Sequence, residues 1–309
     1  MPACSGRPVD GVPTLGGVMG SPTVLLAGCA ALPRGDGDED VLLAALADLG
    51  CTADWVVWGE PRAREADLVI LRATWDYDSR RDEFLDWCES VPRLRNDAAV
   101  ARWNTDKTYL LDMQARGVAI VPTVLAEPGE QVEWPDTEFV IKPTVGAGSR
   151  GAQRFPAGTT RHADEHLAAL HARGTGALIQ PYQSTVDRHG ETAVVFIAGE
   201  LSHTYVKGPL LVPGSWLDSS GLFATETLMP VEASPEVLRF ADKALDVAAD
   251  VLSMDRAEFL YARVDVVRSD AGEPLLLELE LTEPSLGFAF GGRQAADRLA
   301  KAAREIALS

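Results

Sequence analysis

Short apolar runs alternate with helically spaced apolar positions along the first hundred residues. The apolar runs cover 23–27, 54–58 and 68–72, and the helical spacing covers 39–49 and 81–89. Such runs predict buried strands, whereas apolar residues three or four positions apart predict amphipathic helices. The first helix is expected to end at Gly50, a residue type typical of helix C-termini. Strands that alternate with helices predict a small open α/β domain over 22–100.

The middle of the chain continues this alternation around a segment rich in glycine. Helices are predicted over about 107–116 and 162–171, and strands over 139–143 and 177–182. Gly146, Gly148 and Gly151 follow the first of these strands, and they leave the backbone free to approach phosphate oxygens closely. The segment is equally compatible with an ordinary turn, and it lacks the spacing of a P-loop.

Two hairpins and two helices are predicted in the C-terminal third. The first group of elements consists of strands over 191–197 and 201–207, a helix over 235–254 and a closing helix from about Gln294. Gly199 makes the short turn of the first hairpin, and an irregular loop is expected over 208–230. His203 alternates along a hairpin strand, so we expect it to pack rather than to act as a base.

The second hairpin carries charged residues on two apolar strands. The strands cover 262–267 and 275–281, and a polar link covers 269–272. Because side chains alternate along a strand, Glu278 and Glu280 share one face. A turn centred on the link places Asp265 opposite Glu278, and it places Arg263 opposite Glu280.

The acids of this hairpin predict a metal site. Like charges placed opposite each other destabilise a sheet, so Asp265, Glu278 and Glu280 require a compensating cation. Oxygen ligands without His or Cys suit Mg²⁺, which binds through carboxylates and nucleotide phosphates. The alternative is an amphipathic strand whose acids face solvent.

A polar and aromatic segment follows the third predicted strand. It contains Arg72, Trp75, Asp76 and Tyr77. In open α/β sheets, ligands bind beyond the carboxyl ends of the strands. A charged fork, aromatic rings and a carboxylate suit a small amino-acid-like substrate, so these four residues are candidate substrate contacts. The alternative is an aromatic loop that packs on the next domain.

Composition narrows the class of protein. The 309 residues are 46% hydrophobic, enough for more than one core. The net charge of −18 argues against nucleic acid or an anionic membrane as a partner, and no apolar run approaches the roughly 20 residues that span a bilayer. Four scattered cysteines without C-x-x-C spacing are typical of reduced thiols in a cytoplasmic protein. Residues 1–21 are expected to form a disordered leader, with Met19 as an alternative start.

Lysine is rare in this chain, since only five of the 28 basic residues are lysines. A chain that favours Arg is expected to keep Lys where a compact ammonium group matters. Lys107, Lys142 and Lys207 lie next to the segments that carry candidate chemistry. Lys243 and Lys301 are expected to lie on solvated helix faces.

In chain order, the three lysines, the glycine segment, Glu191 and the acidic hairpin resemble the ATP-grasp superfamily, and more narrowly its glutathione-synthetase-like carboxylate–amine ligases. The resemblance covers about 100–292 and implies an ATP-grasp fold, α/β and α+β, preceded by a small open-sheet domain. The implied division is a leader over 1–21, a substrate domain over 22–100, a central lobe with a lid over 101–185, and a C-terminal lobe with the metal site over 186–309. The oligomeric state is left open, a homo-oligomer included.

The resemblance also implies roles for single residues. The implied ATP contacts are Lys107 and Lys142 on the phosphates, Gly146, Gly148 and Ser149 in a mobile lid, Gln180 and Tyr182 at the adenine, and Glu191 at the ribose. Lys207 stands where the family more often has Arg, near the transferred phosphate. Asp265, Glu278 and Glu280 match the Mg²⁺-binding triad, although the family usually has Asn at the last position. Arg263 would either hold acyl-phosphate oxygens or form an ion pair with Glu280.

Several segments, from 72–77 to 278–285, are similar to the ligases that form D-cycloserine by closing O-ureido-serine. The expected reaction phosphorylates the carboxylate of a small amino acid with ATP, after which an amine or aminooxy nitrogen attacks the acyl carbon. Two alternatives stay open. One is an intermolecular ligase that joins amino acids or peptides, and the other is a nucleotide-binding regulatory module without catalysis.

Overall fold

The computed structural model describes residues 20–211, 221–222 and 227–309. The leader expected over 1–21 lies outside the described residues as far as position 19, and this part includes Met19. Much of the loop expected over 208–230 also lies outside them. The described strands form three sheets, of which the first is parallel and the other two are antiparallel. None of the helices in these ranges is long and apolar enough to cross a bilayer.

The N-terminal sheet is parallel and has the strand order β2-β1-β3-β4. Its elements are β1 (Thr23–Gly28), α1 (Asp40–Asp48), β2 (Thr52–Val57), β3 (Leu68–Ala73), α2 (Arg81–Ser90) and β4 (Leu94–Arg95). Three strands and both helices confirm the prediction from apolar spacing. The fourth strand has only two residues, too few to show a period, and the sequence did not predict it.

Two short helices and a four-stranded sheet follow. The elements are α3 (Ala98–Asn104), α4 (Tyr109–Ala115), β5 (Val124–Ala126), β6 (Phe139–Pro143), β7 (Gln153–Phe155), α5 (Thr160–His171) and β8 (Ala177–Pro181), with the strand order β5-β8-β6-β7. The glycine segment is the connection between β6 and β7. Helix α3 was not predicted, although Asp97 caps it by accepting hydrogen bonds from the backbone N–H groups of Ala99 and Val100.

The third sheet contains both predicted hairpins. Its elements are α6 (Val186–His189), β9 (Glu191–Ile197), β10 (Glu200–Lys207), β11 (Leu228–Pro230), α7 (Pro235–Leu252), β12 (Tyr261–Arg268) and β13 (Pro274–Glu280), with the strand order β11-β10-β9-β12-β13. The expectation of an irregular loop over 208–230 was wrong at its end, because β11 pairs with β10. A three-residue edge strand that ends in Pro carries too little pattern to be seen in the sequence.

The closing helix, α8 (Phe288–Leu308), has a kink at Gly292, whose φ of 63° and ψ of −171° are not helical. A short turn therefore precedes the long helix that the sequence predicts from about Gln294. Asp38 of the N-terminal domain fixes this turn, because it accepts hydrogen bonds from the backbone N–H groups of Leu286, Gly287 and Phe288 at 2.8–3.0 Å. The helix then packs against α1 and β1 in the same hydrophobic cluster. The N-terminal sheet and the C-terminal helix therefore share one core.

A second hydrophobic cluster joins helices α3 and α4 to α7 and to strands β12 and β13. The predicted boundary between 185 and 186 thus separates α4 from α7, β12 and β13, its neighbours in the same core, and α8 packs in the core of the first domain. The division into 22–100, 101–185 and 186–309 stays a prediction. The packing brings the segment after β3, the second sheet and the third sheet around one cavity.

Candidate active site

One cavity collects most of the residues predicted to be functional. Its lining includes Trp75 and Tyr77 of the N-terminal domain, Lys107, Lys142, Gly146, Gly148, Ser149, Gln180 and Tyr182 of the middle of the chain, and Glu191, Lys207, Arg263, Glu278 and Glu280 of the third sheet. Asp265 lies directly behind Arg263 and Lys207 and has no exposed surface. Arg72 and Asp76 lie elsewhere.

The acidic hairpin has the register that the sequence predicted. Asp265 of β12 lies opposite Glu278 of β13, and Arg263 lies opposite Glu280. The pairing shifts by one residue immediately after Asp265, so the acids remain on the cavity face while the turn end of the hairpin follows a different register. Ligand oxygens of the three carboxylates lie within 4.8 Å of one another. The prediction that these acids cluster is confirmed.

Cations contact each carboxylate of this cluster. Lys207 Nζ lies 2.7 Å from Asp265 Oδ2 and 3.0 Å from Glu191 Oε2. Arg263 binds Asp265 through two nitrogens at 2.9 Å each. It also contacts Glu280, so the ion pair that the sequence left open for Arg263 is present. The ammonium group of Lys107 contacts Glu278 and so links the segment between α3 and α4 to strand β13.

Burial and charge push the pKa values of the three acids apart. Burial raises the pKa of Asp265, but Arg263 and Lys207 outweigh it and hold that pKa below its ordinary value. Burial raises the pKa of Glu280 to about 8, and the neighbouring carboxylates add to this rise. A carboxyl group that resists ionisation in such a cluster becomes a stable carboxylate when a cation is added.

Lys142 lies at the end of β6 with little exposed surface. Burial lowers the pKa of its ammonium group to about 8, and the positive charges of Lys107 and Lys207 lower it further against the opposing effect of Glu278. An anion placed beside these three lysines would reverse that effect. The three lysines therefore provide positive charge for an anion in the cavity, next to the acidic hairpin.

The donor set fits a hard divalent cation. Asp265, Glu278 and Glu280 offer clustered carboxylate oxygens, and no His or Cys belongs to the cluster. Such a set suits Mg²⁺ better than a soft metal. Glu280 supplies a charge where the ATP-grasp family usually has the neutral Asn, and the adjacent Arg263 guanidinium offsets that extra charge.

The glycine segment passes over the cavity and is attached to the N-terminal domain. Gly148 and Ser149 both have φ near +60°, which keeps the turn tight. Between them and β7, Arg150 contacts Asp78 at 2.7 Å and donates to the backbone carbonyls of Trp75 and Leu222 at 2.5 Å. This arrangement holds the segment against the opposite wall.

The two residues predicted at the adenine line the cavity, but their polar side-chain atoms already have partners. Gln180 donates to the Thr123 hydroxyl at 2.8 Å, and the Tyr182 hydroxyl donates to Asp187 at 2.6 Å. The Tyr182 ring also lies under the Arg154 guanidinium, 3.5 Å from ring centroid to Cζ. Any contact of these side chains with a ligand would use their apolar surfaces.

The structure corrects the expectation for Arg72 and Asp76 as substrate contacts. Arg72 is fully buried, pairs with Glu39 at 3.0 Å and donates to the carbonyl of Pro284. Asp76 accepts from Trp58 Nε1 at 2.5 Å and pairs with Arg80 at 3.2 Å. Arg72 and Asp76 therefore form contacts inside the N-terminal domain, whereas Trp75 and Tyr77 of the same segment line the cavity.

The aromatic residues of the same segment do reach the cavity. Trp75 Nε1 donates to the carbonyl of Glu283 at 2.9 Å, so the packing contact left open by the sequence is also present. Tyr77 contacts the Glu283 side chain through its hydroxyl. Glu283 itself lines the cavity and was not among the predicted site residues. Little in the sequence indicates a place for Glu283 in the site, because it lies past the end of β13 and does not continue the alternation of Glu278 and Glu280.

Comparisons with known proteins agree with the sequence resemblance. The family described as D-cycloserine synthetase DcsG, N-terminal domain, matches residues 24–96. The chain is 34% identical over 281 residues to the cycloserine biosynthesis protein DcsG of Streptomyces lavendulae, an alignment that covers 86% of this chain and 92% of that protein. The crystal structure of D-cycloserine synthetase DcsG matches with a TM-score of 0.80 and 32% identity, covering 92% of this chain and 99% of that one.

A more distant structural likeness extends to another ligase. D-alanine–D-alanine ligase from Bacillus anthracis, complexed with ATP, matches with a TM-score of 0.64 over 93% of this chain and 98% of that one. At 14% identity this match shows a common fold alone. The expected architecture, an ATP-grasp fold preceded by a small α/β domain, is confirmed.

Proposed function

Because the chain belongs to the DcsG family of ATP-grasp ligases, we propose that it uses ATP to activate the carboxylate of a small amino acid and to form a C–N bond within the same molecule. The proposed substrate is O-ureido-serine and the proposed product is cycloserine, the compound in whose biosynthesis the relative from Streptomyces lavendulae takes part. The chain is thus proposed to take part in antibiotic biosynthesis.

One observation carries this proposal: the lysines of the middle of the chain and the acids of the last hairpin line the same cavity. Lys107 contacts Glu278, and the same carboxylate raises the pKa of Lys142 against the effect of burial. A triphosphate with its Mg²⁺ needs both kinds of group at once, ammonium groups for phosphate oxygens and carboxylates for the metal. A single cavity that contains both kinds of group meets that need.

In the proposed reaction the substrate carboxylate oxygen attacks the γ-phosphorus of ATP, and ADP leaves. The substrate nitrogen then attacks the acyl carbon, the C–N bond forms, and the bond from carbon to the phosphate oxygen breaks. Formation of cycloserine from O-ureido-serine also requires hydrolysis of the ureido group from that nitrogen, with loss of its carbon as CO₂ and of its terminal nitrogen as ammonia. Both nucleophiles in this scheme, the carboxylate oxygen and the attacking nitrogen, belong to the substrate, so no protein nucleophile is required.

The chain's own residues would bind, orient and neutralise charge. Lys107, Lys142 and Lys207 would hold phosphate oxygens, and Arg263, next to Asp265 and Glu280, would stabilise negative charge on the acyl phosphate. Asp265, Glu278 and Glu280 would hold Mg²⁺, which when bound supplies positive charge to the phosphate oxygens. Gln180, Tyr182 and Glu191 would contact the nucleoside.

The glycine segment would exclude water during the reaction. Acyl phosphates are hydrolysed in water, so a closed site protects the intermediate. Gly146, Gly148 and Ser149 line the cavity, and Arg150 attaches their segment to the wall that carries Trp75. We propose that this attachment keeps the segment closed while the acyl phosphate exists.

Release of ADP by the purified protein, with ATP, Mg²⁺ and O-ureido-serine, tests the proposal against its alternatives. Stoichiometric ADP and ring product with no second amine support intramolecular ligation. ADP release that needs a second amino acid favours the intermolecular ligase. If no amino acid stimulates ADP release although ATP binds, the chain acts as a nucleotide-binding module instead.

A further inference from the structure

Glu283 is the carboxylate that the proposed chemistry does not use. It lines the cavity and is 9% exposed. Among the described residues, the other carboxylates of the cavity wall are ion-paired: Glu191 with Lys207, Glu278 with Lys107 and Glu280 with Arg263. Glu283 forms no such pair within the described ranges. It also stands outside the cluster of acids with metal-ligand spacing.

Contacts with the N-terminal domain hold Glu283 in position. The Tyr77 hydroxyl lies beside its carboxylate and lowers the pKa of Glu283 against the effect of burial. Trp75 Nε1 donates to its backbone carbonyl at 2.9 Å, and Arg72 donates to the carbonyl of the next residue, Pro284. A buried side chain fixed in this way is preorganised for a ligand.

A buried carboxylate without a cation is unfavourable, and burial raises the pKa of Glu283 to about 7. A cationic ligand group beside it would favour the ionised form. Trp75 and Tyr77, both on the cavity wall, add aromatic surface of the kind that attracts ammonium groups. The nucleotide and the phosphoryl group are anionic and cannot fill this role.

We propose that Glu283, held by Tyr77, binds the α-ammonium group of the amino acid substrate. This inference rests on the proposed function for the identity of the substrate. The contact would place the ammonium group on the N-terminal side of the cavity and leave the substrate carboxylate facing Lys107 and Arg263 across it. Glu283 would therefore select amino acids over simple carboxylic acids.

A chemical double-mutant cycle tests the proposal. Wild type and Glu283→Gln are compared with O-ureido-serine and with 3-(ureidooxy)propanoate, the same molecule without its α-amine. A direct ion pair predicts that Glu283→Gln lowers kcat/KM for the amino acid by about 30- to 100-fold, since hydrogen bonds to charged groups are worth about 1.5–3 kcal/mol. For the analogue without the amine, the same substitution should change kcat/KM by less than about threefold, while KM for ATP stays the same.

Equal losses with both compounds would overturn the proposal, because they would indicate a role in the shape of the site alone. Glu273→Gln, at an exposed position of the turn in the same hairpin, is the matched control and should behave as wild type. Tyr77→Phe removes the hydroxyl but keeps the carboxylate, and it should reduce the discrimination between the two compounds by about threefold to tenfold. If Glu283→Gln does not fold, Tyr77→Phe alone tests the proposal. Unchanged discrimination between the two compounds in Tyr77→Phe would then refute the inference.

The same double-mutant cycle, with dissociation constants in place of kcat/KM, shows whether the ammonium site and the ligase reaction stand or fail separately. Dissociation constants of both compounds are measured by calorimetry with a non-hydrolysable ATP analogue and Mg²⁺ present. Amine-dependent binding that Glu283→Gln removes, in a protein that releases no ADP, would leave the ammonium site standing and reject the ligase reaction. ADP release and ring closure without any coupling between Glu283 and the amine would do the reverse.

Discussion

At the scale of single residues, the cavity is a set of exchangeable ion pairs. Two of the cations that would hold phosphate contact carboxylates in the structure: Lys107 pairs with Glu278, and Lys207 pairs with Asp265. Charges paired in this way cost less to bury than charges left alone. When a triphosphate and a divalent ion enter together, the cations can pass to phosphate oxygens and the carboxylates to the metal, so each charge keeps a partner of opposite sign.

Replacement of Glu278 by Gln tests the metal site. The Glu278→Gln protein should lose Mg²⁺-dependent turnover by at least about 100-fold, because one anionic ligand of a small cluster is removed. Its circular dichroism spectrum should match that of wild type. Turnover equal to that of wild type in the substituted protein would count against the assignment of these acids to Mg²⁺.

Replacement of Arg72 by Met tests the correction made for this residue. Removal of one partner from a fully buried pair leaves Glu39 without its counter-charge, and such losses cost about 3–5 kcal/mol of unfolding free energy. Unfolding in urea should show this loss, and the double variant Arg72→Met with Glu39→Gln should recover part of it. A raised KM for the amino acid with normal stability would return Arg72 to the substrate site.

At the scale of elements, strand β10 and helix α8 are joined by a chain of polar contacts. Arg298 of α8 donates to the Ser202 hydroxyl at 2.6 Å, and this hydroxyl lies 2.9 Å from His203 Nδ1. His203 Nε2 lies 2.7 Å from the carbonyl of Leu286, just before the helix. A neutral imidazole that donates through Nε2 and accepts at Nδ1 satisfies every group. The expectation that His203 packs rather than acts as a base agrees with these contacts.

This contact predicts a pH dependence of stability. Burial lowers the pKa of His203, and the charge of Arg298 lowers it further, against the effect of the Leu286 carbonyl. Below the unfolded-state pKa of about 6.5 the unfolded chain binds more protons than the folded one. The stabilising contribution is therefore complete above that pH and is lost as the pH falls.

Urea unfolding of wild type and His203→Gln between pH 7.5 and 5 measures this contribution. The difference in unfolding free energy between them should shrink as the pH falls below 6.5, by at most about 1.4 kcal/mol per pH unit. His162→Gln, at an exposed position of α5, is the control and should follow wild type at every pH. A constant difference between wild type and His203→Gln across the range would contradict the argument.

The connection between β6 and β7 predicts a second effect at this scale. Arg150→Ala removes the contacts of the glycine segment with Asp78 and with the carbonyls of Trp75 and Leu222. A segment released from the opposite wall should admit water to the acyl phosphate. We expect the ratio of ADP released to ring product formed to rise from one to about three or more. A ratio that stays at one, with slower turnover, would indicate that Arg150 does not hold the site closed.

At the scale of the whole molecule, the proposed nucleotide site is lined by residues of the second and third sheets and of the segment after β3, so its ligands would join parts of the chain that are far apart. Binding to the folded state alone stabilises it by an amount that grows with ligand concentration. An ATP analogue at about 100 times its dissociation constant, with Mg²⁺, should add roughly 2.7 kcal/mol and raise Tm by several degrees. Addition of EDTA should abolish most of this rise, and a full rise without Mg²⁺ would contradict a metal-bridged site.

The sequence by itself determined most elements and the local geometry of the acidic hairpin. Apolar spacing predicted the N-terminal strands and helices, and a turn centred on the polar link predicted that Asp265 lies opposite Glu278, a pairing that the hairpin reaches through a one-residue shift after Asp265. These features depend on alternation and turn length, which are properties of neighbouring residues. The rarity of lysine likewise drew attention to Lys107 and Lys142, both of which line the cavity.

Only the tertiary structure decided which polar groups face the cavity. Arg72 donates to Pro284, 212 positions further along the chain, and this contact rather than any local pattern removes it from the site. Glu283 lies at the cavity beside Tyr77, with its backbone carbonyl bound by Trp75, and Asp38 binds the N–H groups of the short turn that precedes the kink of α8. Burial of a charge depends on partners that are distant in sequence, and a spacing pattern within one segment holds no information about them.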